Sequence, residues 1–237
     1  MTQQTGSEMR DADVRQAVRR YLTKLHNGNA TTRIVEEMGV WSGSVRVDLA
    51  VINGELSGFE LKSDSDTLQR LPMQADIYSR VFDRMTLVVG RRHAIKATDI
   101  IPSWWGMIVA DETDVGVVLE HHMCGSRNPS PDPVLIAGLL WKEEALAVLE
   151  EHGLAVGWRS KPAKAIHQRL AGELSFSDLS DEVRQALKSR VAWLRQPVSN
   201  MRHMAIEQQS RPLAPPPCAA GGDSIMLNAP ITPTGCR

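Results

Sequence analysis

Apolar and polar residues alternate most clearly on either side of Asn53-Gly54. Before it, Val45, Val47, Leu49 and Val51 share one side while Arg46, Asp48 and Ala50 share the other; after it, Phe59 and Leu61 oppose Gly58, Glu60 and Lys62. A period of two over such runs predicts two half-buried strands joined as a hairpin. A two-residue Asn-Gly turn would set Val47 against Glu60 and Asp48 against Phe59, mixing apolar and charged side chains on both faces. One extra residue, in a three-residue turn (Asn53 to Glu55) or a bulge at Gly58, places Leu49 opposite Phe59 and Val47 opposite Leu61.

The flanking pattern predicts the remaining elements. Val14, Ala17, Val18, Tyr21, Leu22 and Leu25 form the stripe of a helix capped by Asp11 or Asp13, with Arg15, Arg19, Arg20 and Lys24 on its basic, solvated side. Thr31 to Val40 fits either helix or strand by periodicity and reads, before Ser42-Gly43, as the first strand of a meander. Ser63 to Asp66 caps a helical stretch that starts afresh at Pro72 and runs to Phe82. Thr86 to Val89 is a short apolar strand, parallel to the one before, with the helix as crossover. Met107 to Ala110 and Val115 to Glu120 form a further hairpin, and Trp104-Trp105 before it reads as packing at the end of the sheet.

Asn128 to Pro133, with three prolines, marks a linker between a domain over 11–127 and a small helical unit over 134–196, with helices near 134–151, 161–171 and 180–195. Residues 1–10 and 197–237 lack the apolar content to offset their ordering entropy and are expected to be disordered. A chain of 237 residues, 42% hydrophobic, suffices for one ordinary domain and a smaller one. A net charge of −1 means that any nucleic-acid binding must rest on local patches. Cys124, Cys218 and Cys236 show neither a disulfide framework nor metal-ligand spacing, which points to a reducing compartment. No apolar run approaches the roughly 20 residues of a membrane span. A cytoplasmic location is expected.

The chemistry lies on the polar face of the hairpin. With the extra residue in the turn, Asp48 lands opposite Glu60 at a Cβ separation of about 5 Å, and Lys62 follows on the same face. Two carboxylates so close repel unless a positive charge joins them, and one or two carboxylates are the usual protein contribution to a Mg²⁺ site. A lysine beside them can orient or deprotonate a water or neutralise charge on a phosphate. A surface hairpin with a plain Lys62–carboxylate salt bridge is the alternative.

Asp48 followed by Glu60-Leu61-Lys62 resembles the D…(D/E)xK core of the PD-(D/E)XK nuclease superfamily, and Gln74-Ala75-Asp76-Ile77-Tyr78 resembles the QxxxY motif of its RecB-like members. The order hairpin, helix, strand over residues 31–92 is similar too, most of all to a small bacterial branch around MmcB. No proline precedes Asp48, a departure shared by many members. The resemblance implies an α/β, restriction-endonuclease-like core with a mixed central sheet flanked by helices, and a Mg²⁺- or Mn²⁺-dependent deoxyribonuclease acting in repair or defence. Asp48 and Glu60 would bind metal, with Glu37 favoured over Glu36 as a third acid. Lys62 would position or activate the water; Gln74 and Tyr78 would position water or phosphate. Arg70, four residues before Gln74, and Arg91 and Arg92, at the carboxyl end of a strand, are candidate phosphate contacts. DNA is the expected partner, RNA remains open, and any unwinding would come from a helicase or other partner protein. A non-catalytic nucleic-acid-binding or adaptor protein retaining the fold is the rival expectation. The 134–171 stretch faintly resembles a SAP-like DNA-backbone module carrying Arg159, Lys161, Lys164 and Arg169.

Overall fold

In a computed structural model, residues 9–40, 45–191 and 193 are described. Helix α1 (Asp11–Leu25) leads into strands β1 (Arg33–Val40), β2 (Val45–Ile52) and β3 (Leu56–Lys62), followed by α2 (Leu71–Tyr78) and β4 (Arg84–Gly90). A short 3-10 turn (Arg91–His93) and α3 (Ala94–Thr98), neither signalled by the sequence pattern, precede β5 (Gly106–Thr113) and β6 (Gly116–Met123). The strands lie in the order β1-β2-β3-β4-β5-β6. The β3–β4 and β4–β5 pairs are parallel and the other three antiparallel, so the sheet is mixed, with α2 as the crossover from β3 to β4. This is an α/β architecture flanked by helices.

The hairpin register follows from side-chain chemistry. Ile52 pairs with Leu56 and Leu49 with Phe59, leaving Asn53 to Glu55 as a three-residue turn. Asn53 closes the turn twice: its N–H donates to the Glu55 carbonyl (3.1 Å) and its side-chain oxygen accepts the Glu55 N–H (2.9 Å). On one sheet face Leu49, Val51, Leu61, Val88, Ile108 and Ala110 meet Val14, Val18 and Leu22 of α1, residues four apart on one side of that helix. Asp13 contributes to the start of α1 from inside the first turn, accepting the Arg10 N–H (3.3 Å). Met9 is buried in this core although it lies within the stretch expected to be disordered. Residues 1–8 of that stretch, and the tail beyond residue 193, lie outside the described residues.

The other face is covered by α2, which buries Leu71, Gln74, Ala75, Ile77 and Tyr78 and keeps Pro72 in its first turn. Gly58 permits that approach, since a Cβ there would lie 3.1 Å from the Phe82 ring. The helix ends at Tyr78, four residues earlier than expected, and Ser63 to Asp66 form a turn instead of capping a helix. In that turn Asp66 accepts from the Ser63 N–H (2.8 Å) and hydroxyl (2.6 Å). Trp105 is fully buried and stacked on Tyr78 (6.4 Å), the packing role expected of it.

The segment read as a linker is fastened to the core. The Asn128 side-chain amide donates to the carbonyls of Ser79 (2.7 Å) and Phe82 (2.8 Å), and its own N–H donates to Asp83 (2.8 Å). Asp132 then caps α4 (Pro133–Ala137), accepting from the Val134 N–H (2.9 Å). After a break at Gly138 come α5 (Lys142–Glu151), α6 (Ala163–Glu173) and α7 (Phe176–Ser189). Ile136, Ala145, Leu149, Ile166, Leu170, Leu179, Val183 and Leu187 form their buried side. Buried Asp83 joins these helices to the sheet, accepting from the Leu56 N–H (2.8 Å) and pairing with Arg184 of α7 (3.4 Å). The described residues up to Arg190 accordingly form one compact unit. No helix of the described residues is long and apolar enough to cross a membrane.

Candidate functional site

The β2–β3 ladder stops at Leu49–Phe59, and beyond it the strands open a polar cleft. Asp48 and Glu60 stand at the next step of the same register. There the Leu61 N–H donates to Asp48 Oδ2 (2.8 Å), so a side chain satisfies the backbone donor where pairing ends. The ladder on the other side of β2 breaks at the same level. Glu36 pairs with Leu49 and Met38 with Val47, while Glu37, which would face Asp48, does not pair. Glu37 has φ 53°, the single non-glycine positive φ among the described residues. An L-residue in that region costs about 1–2 kcal/mol, and such outliers cluster at functional sites. Glu37, Asp48 and Glu60 thus form one row across three neighbouring strands.

The cleft has a volume of about 580 Å³ and is lined by these three acids together with Asp11, Arg15, Arg46, Lys62, Asp66, Arg70 and Gln74. Its deepest members are almost inaccessible, Glu60 being 1% exposed and Lys62 4%. Glu60 Oε1 accepts from Lys62 Nζ and from Gln74 Nε2 (2.5 Å). Glu60 Oε2 and Gln74 Oε1 are buried and have no donor. Burial pushes the Glu60 carboxyl up to about 7; Lys62 opposes that rise and Asp48 adds to it.

Arg15 of α1 reaches the cleft from the other side of the sheet. Its guanidinium bridges Asp48 Oδ1 (2.7 Å) and Glu37 Oε1 (3.0 Å), with Asp11 further out (3.4 Å). Its Nη1 also donates to the Asp48 carbonyl (3.2 Å). Burial disfavours its charge, but Asp48, Asp11 and Glu37 outweigh burial and raise its pKa. Sequence reasoning placed Arg15 on a solvated helix face. The available signal was its four-residue spacing from Arg19, which pairs with Glu36 (3.1 Å) just as Arg15 pairs with the adjacent Glu37.

The other expected residues divide into two groups. Gln74 and Arg70 line the cleft. Tyr78 lies behind them: its hydroxyl donates to the Arg46 carbonyl (2.6 Å) beside Glu60 and Gln74, and its ring is buried against Phe82 (5.8 Å) and Trp105. Burial and then the charge of Glu60 raise its pKa, so it stays a neutral tether between α2 and β2. Arg91 is turned away, paired with Asp111 and with Glu120 (2.9 Å) on the β5–β6 hairpin. Arg92 donates to the Asp66 carbonyl (3.4 Å) and to His93 (3.1 Å), behind the loop that walls the cleft. In the helical segment Arg159 pairs with Glu150 (2.7 Å) and Arg169 lies over the Trp158 ring (4.7 Å).

Whether these residues suit a divalent cation is tested by their donors. The oxygens are hard, and the two unpartnered buried acceptors call for a cation, a water or, on Glu60, a proton. Among the described residues no group of three or more His, Cys, Asp or Glu is gathered as a metal site. The positive charge joining Asp48 to Glu37 is Arg15. The donor set fits in kind, with that guanidinium in competition.

Fold and site together define an α/β protein with a mixed sheet and an acidic, lysine-containing cleft where its second and third strands part. The chain belongs to the family of Bacteriophage P4 protein cII, whose match spans residues 4–211. Protein cII of Enterobacteria phage P4 is 27% identical over 182 residues, covering 77% of this chain and 68% of that protein. A solved structure of a Silicibacter pomeroyi protein of unknown function aligns with 59% of this chain and 89% of its own, at 20% identity and a TM-score of 0.34. Neither relative's name describes an activity.

Proposed function

We propose that this chain is a divalent-metal-dependent phosphodiester hydrolase of the PD-(D/E)XK type, acting on DNA in repair or defence. The observation that carries the reading is the row Glu37, Asp48 and Glu60 across three strands, with Lys62 and Gln74 on Glu60 and two buried acceptor oxygens without donors. Asp48 and Glu60 would hold the metal, with Glu37 as the third acid. When bound, a divalent cation supplies charge neutralisation at the phosphate and a more acidic water. Lys62, fixed beside Glu60, holds an ammonium where a water or phosphate oxygen would approach. Gln74 orients the Glu60 carboxylate, and Arg46 and Arg70 at the rim offer positive charge to a nucleic-acid backbone. Tyr78, hydrogen-bonded to the Arg46 carbonyl beside Glu60, would act as a positioning residue behind the cleft.

A second reading is favoured by one observation. Arg15 already neutralises Asp48 and Glu37, as it would in a metal-free, non-catalytic nucleic-acid-binding or adaptor protein that retains the fold.

Cleavage separates the two. Wild type and Lys62→Ala are incubated with labelled single-stranded, duplex and flapped DNA, and with RNA, in Mg²⁺, Mn²⁺ or EDTA. Cleavage that disappears with EDTA and with Lys62→Ala is the expected result. DNA bound but uncut under every condition would overturn the hydrolase and direct attention to a partner such as a helicase.

A further inference from the structure

We propose that Arg15 is a displaceable internal counter-ion that competes with a divalent cation for Asp48 and Glu37. The inference rests on the metal-dependent reading above and assigns its regulation to a residue of α1. The guanidinium contacts Asp48 Oδ1 (2.7 Å) and Glu37 Oε1 (3.0 Å), and Asp48 Oδ2 is already committed to the Leu61 N–H (2.8 Å). Each Asp48 oxygen thus already holds a donor, and the guanidinium on Oδ1 puts its positive charge where a cation would sit, so the two compete for one place. Independent of this bridge, Glu60 Oε2 and Gln74 Oε1 in the same cleft are buried acceptors without donors, on residues 1% and 6% exposed. They mark a place for positive charge that the arginine does not fill.

The geometry also permits release. Helix α1 is anchored by Val14, Val18 and Leu22, all fully buried, while the Arg15 side chain is 21% exposed and Glu37 50%. A long side chain on a fixed helix can leave its partners by rotamer change alone. Glu37, at 3.0 Å and half exposed, is more weakly held by the guanidinium than Asp48, at 2.7 Å and 18% exposed. Arg15 in place keeps the like charges of Asp48 and Glu37 together without metal; a doubly charged ion takes over when its concentration suffices.

The test is Mn²⁺ binding by the full chain, read from the electron paramagnetic resonance of free Mn²⁺, with circular dichroism as the check of folding. Arg15→Gln is expected to bind Mn²⁺ about tenfold more tightly than wild type, because a unit charge is removed from beside the ion. Arg19→Gln changes the net charge equally but faces Glu36 outside the cleft, and should stay within about twofold. Asp48→Asn should abolish binding. Arg15→Lys, which keeps the charge but lacks the planar fork that joins two carboxylates, should show a smaller gain and serves if the glutamine variant does not fold. Unchanged or weaker Mn²⁺ binding by both Arg15 variants, with Asp48→Asn still inactive in binding, would overturn the competition and leave the metal site standing. If neither wild type nor the Arg15 variants bind Mn²⁺, both the competition and the metal-dependent reading fall.

Discussion

Replacing Lys62 by methionine keeps an unbranched apolar stem, one atom shorter, and removes the one ammonium that touches Glu60, at a position 4% exposed. Burial already holds the Glu60 carboxyl at about 7 against an ordinary 4.5. The folded carboxyl thus keeps its proton more tightly than the unfolded one. Its contribution to stability is complete below 4.5 and is lost as pH rises through about 7, a loss of about 3 kcal/mol in all. Without Lys62 the carboxylate loses its nearest favourable charge, and its pKa rises further. At about pH 6 the group is protonated in both proteins, so this part of the difference vanishes. By about pH 9 the variant should have lost about 2–3 kcal/mol more than wild type, bounded because Glu60 can take a proton instead of remaining ionised. Urea unfolding followed by tryptophan fluorescence, in EDTA and at both ends of that range, measures the difference. A deficit that stays constant with pH would refute the coupling of Glu60 ionisation to Lys62.

Three further substitutions probe the wall of the cleft and the joint between sheet and helices. A Cβ at Gly90 would lie 2.9 Å from the Asp64 backbone nitrogen and 2.7 Å from its carboxyl carbon, so Gly90→Ala must push the 63–66 turn away. A loss of about 1–3 kcal/mol in urea unfolding is expected, and an unchanged midpoint would mean that the turn yields freely. Asp83→Ala strands the Leu56 N–H and the buried end of Arg184, which should remove about 2–4 kcal/mol. Arg127→Ala, whose side chain is 62% exposed and 3.8 Å from Asp83, should change stability by less than about 1 kcal/mol. Equal effects of the two would contradict the assignment of Asp83 as the joint between sheet and helices.

The sequence by itself determined the features that a short chain window can encode. Alternation around Asn53 required one extra residue, in the turn or in a bulge at Gly58, because the two-residue turn mixed Glu60 and Asp48 with apolar partners; the observed Leu49–Phe59 pairing has that residue in the turn. The same logic supplied the strands, although Thr31 to Val40 fitted a helix as well, and the parallel crossover through α2; the nearness of Gln74 to Glu60 came from the resemblance to the QxxxY motif. What only the tertiary structure decided depends on residues far apart in the chain. Arg15 meets Asp48 across 33 positions, and its four-residue spacing from Arg19 on the helix does not name the carboxylates that either arginine meets. Tyr78 spends its hydroxyl on the Arg46 carbonyl, and Arg91 is captured by Asp111 and Glu120, because strand neighbours supply acceptors closer than the cleft does. Asn128 turns a proline-rich segment into a fastened one through three backbone groups. Local periodicity fixes which side of a strand a residue occupies; the identity of its charge partner is fixed only when the sheet and its helices bring distant segments together.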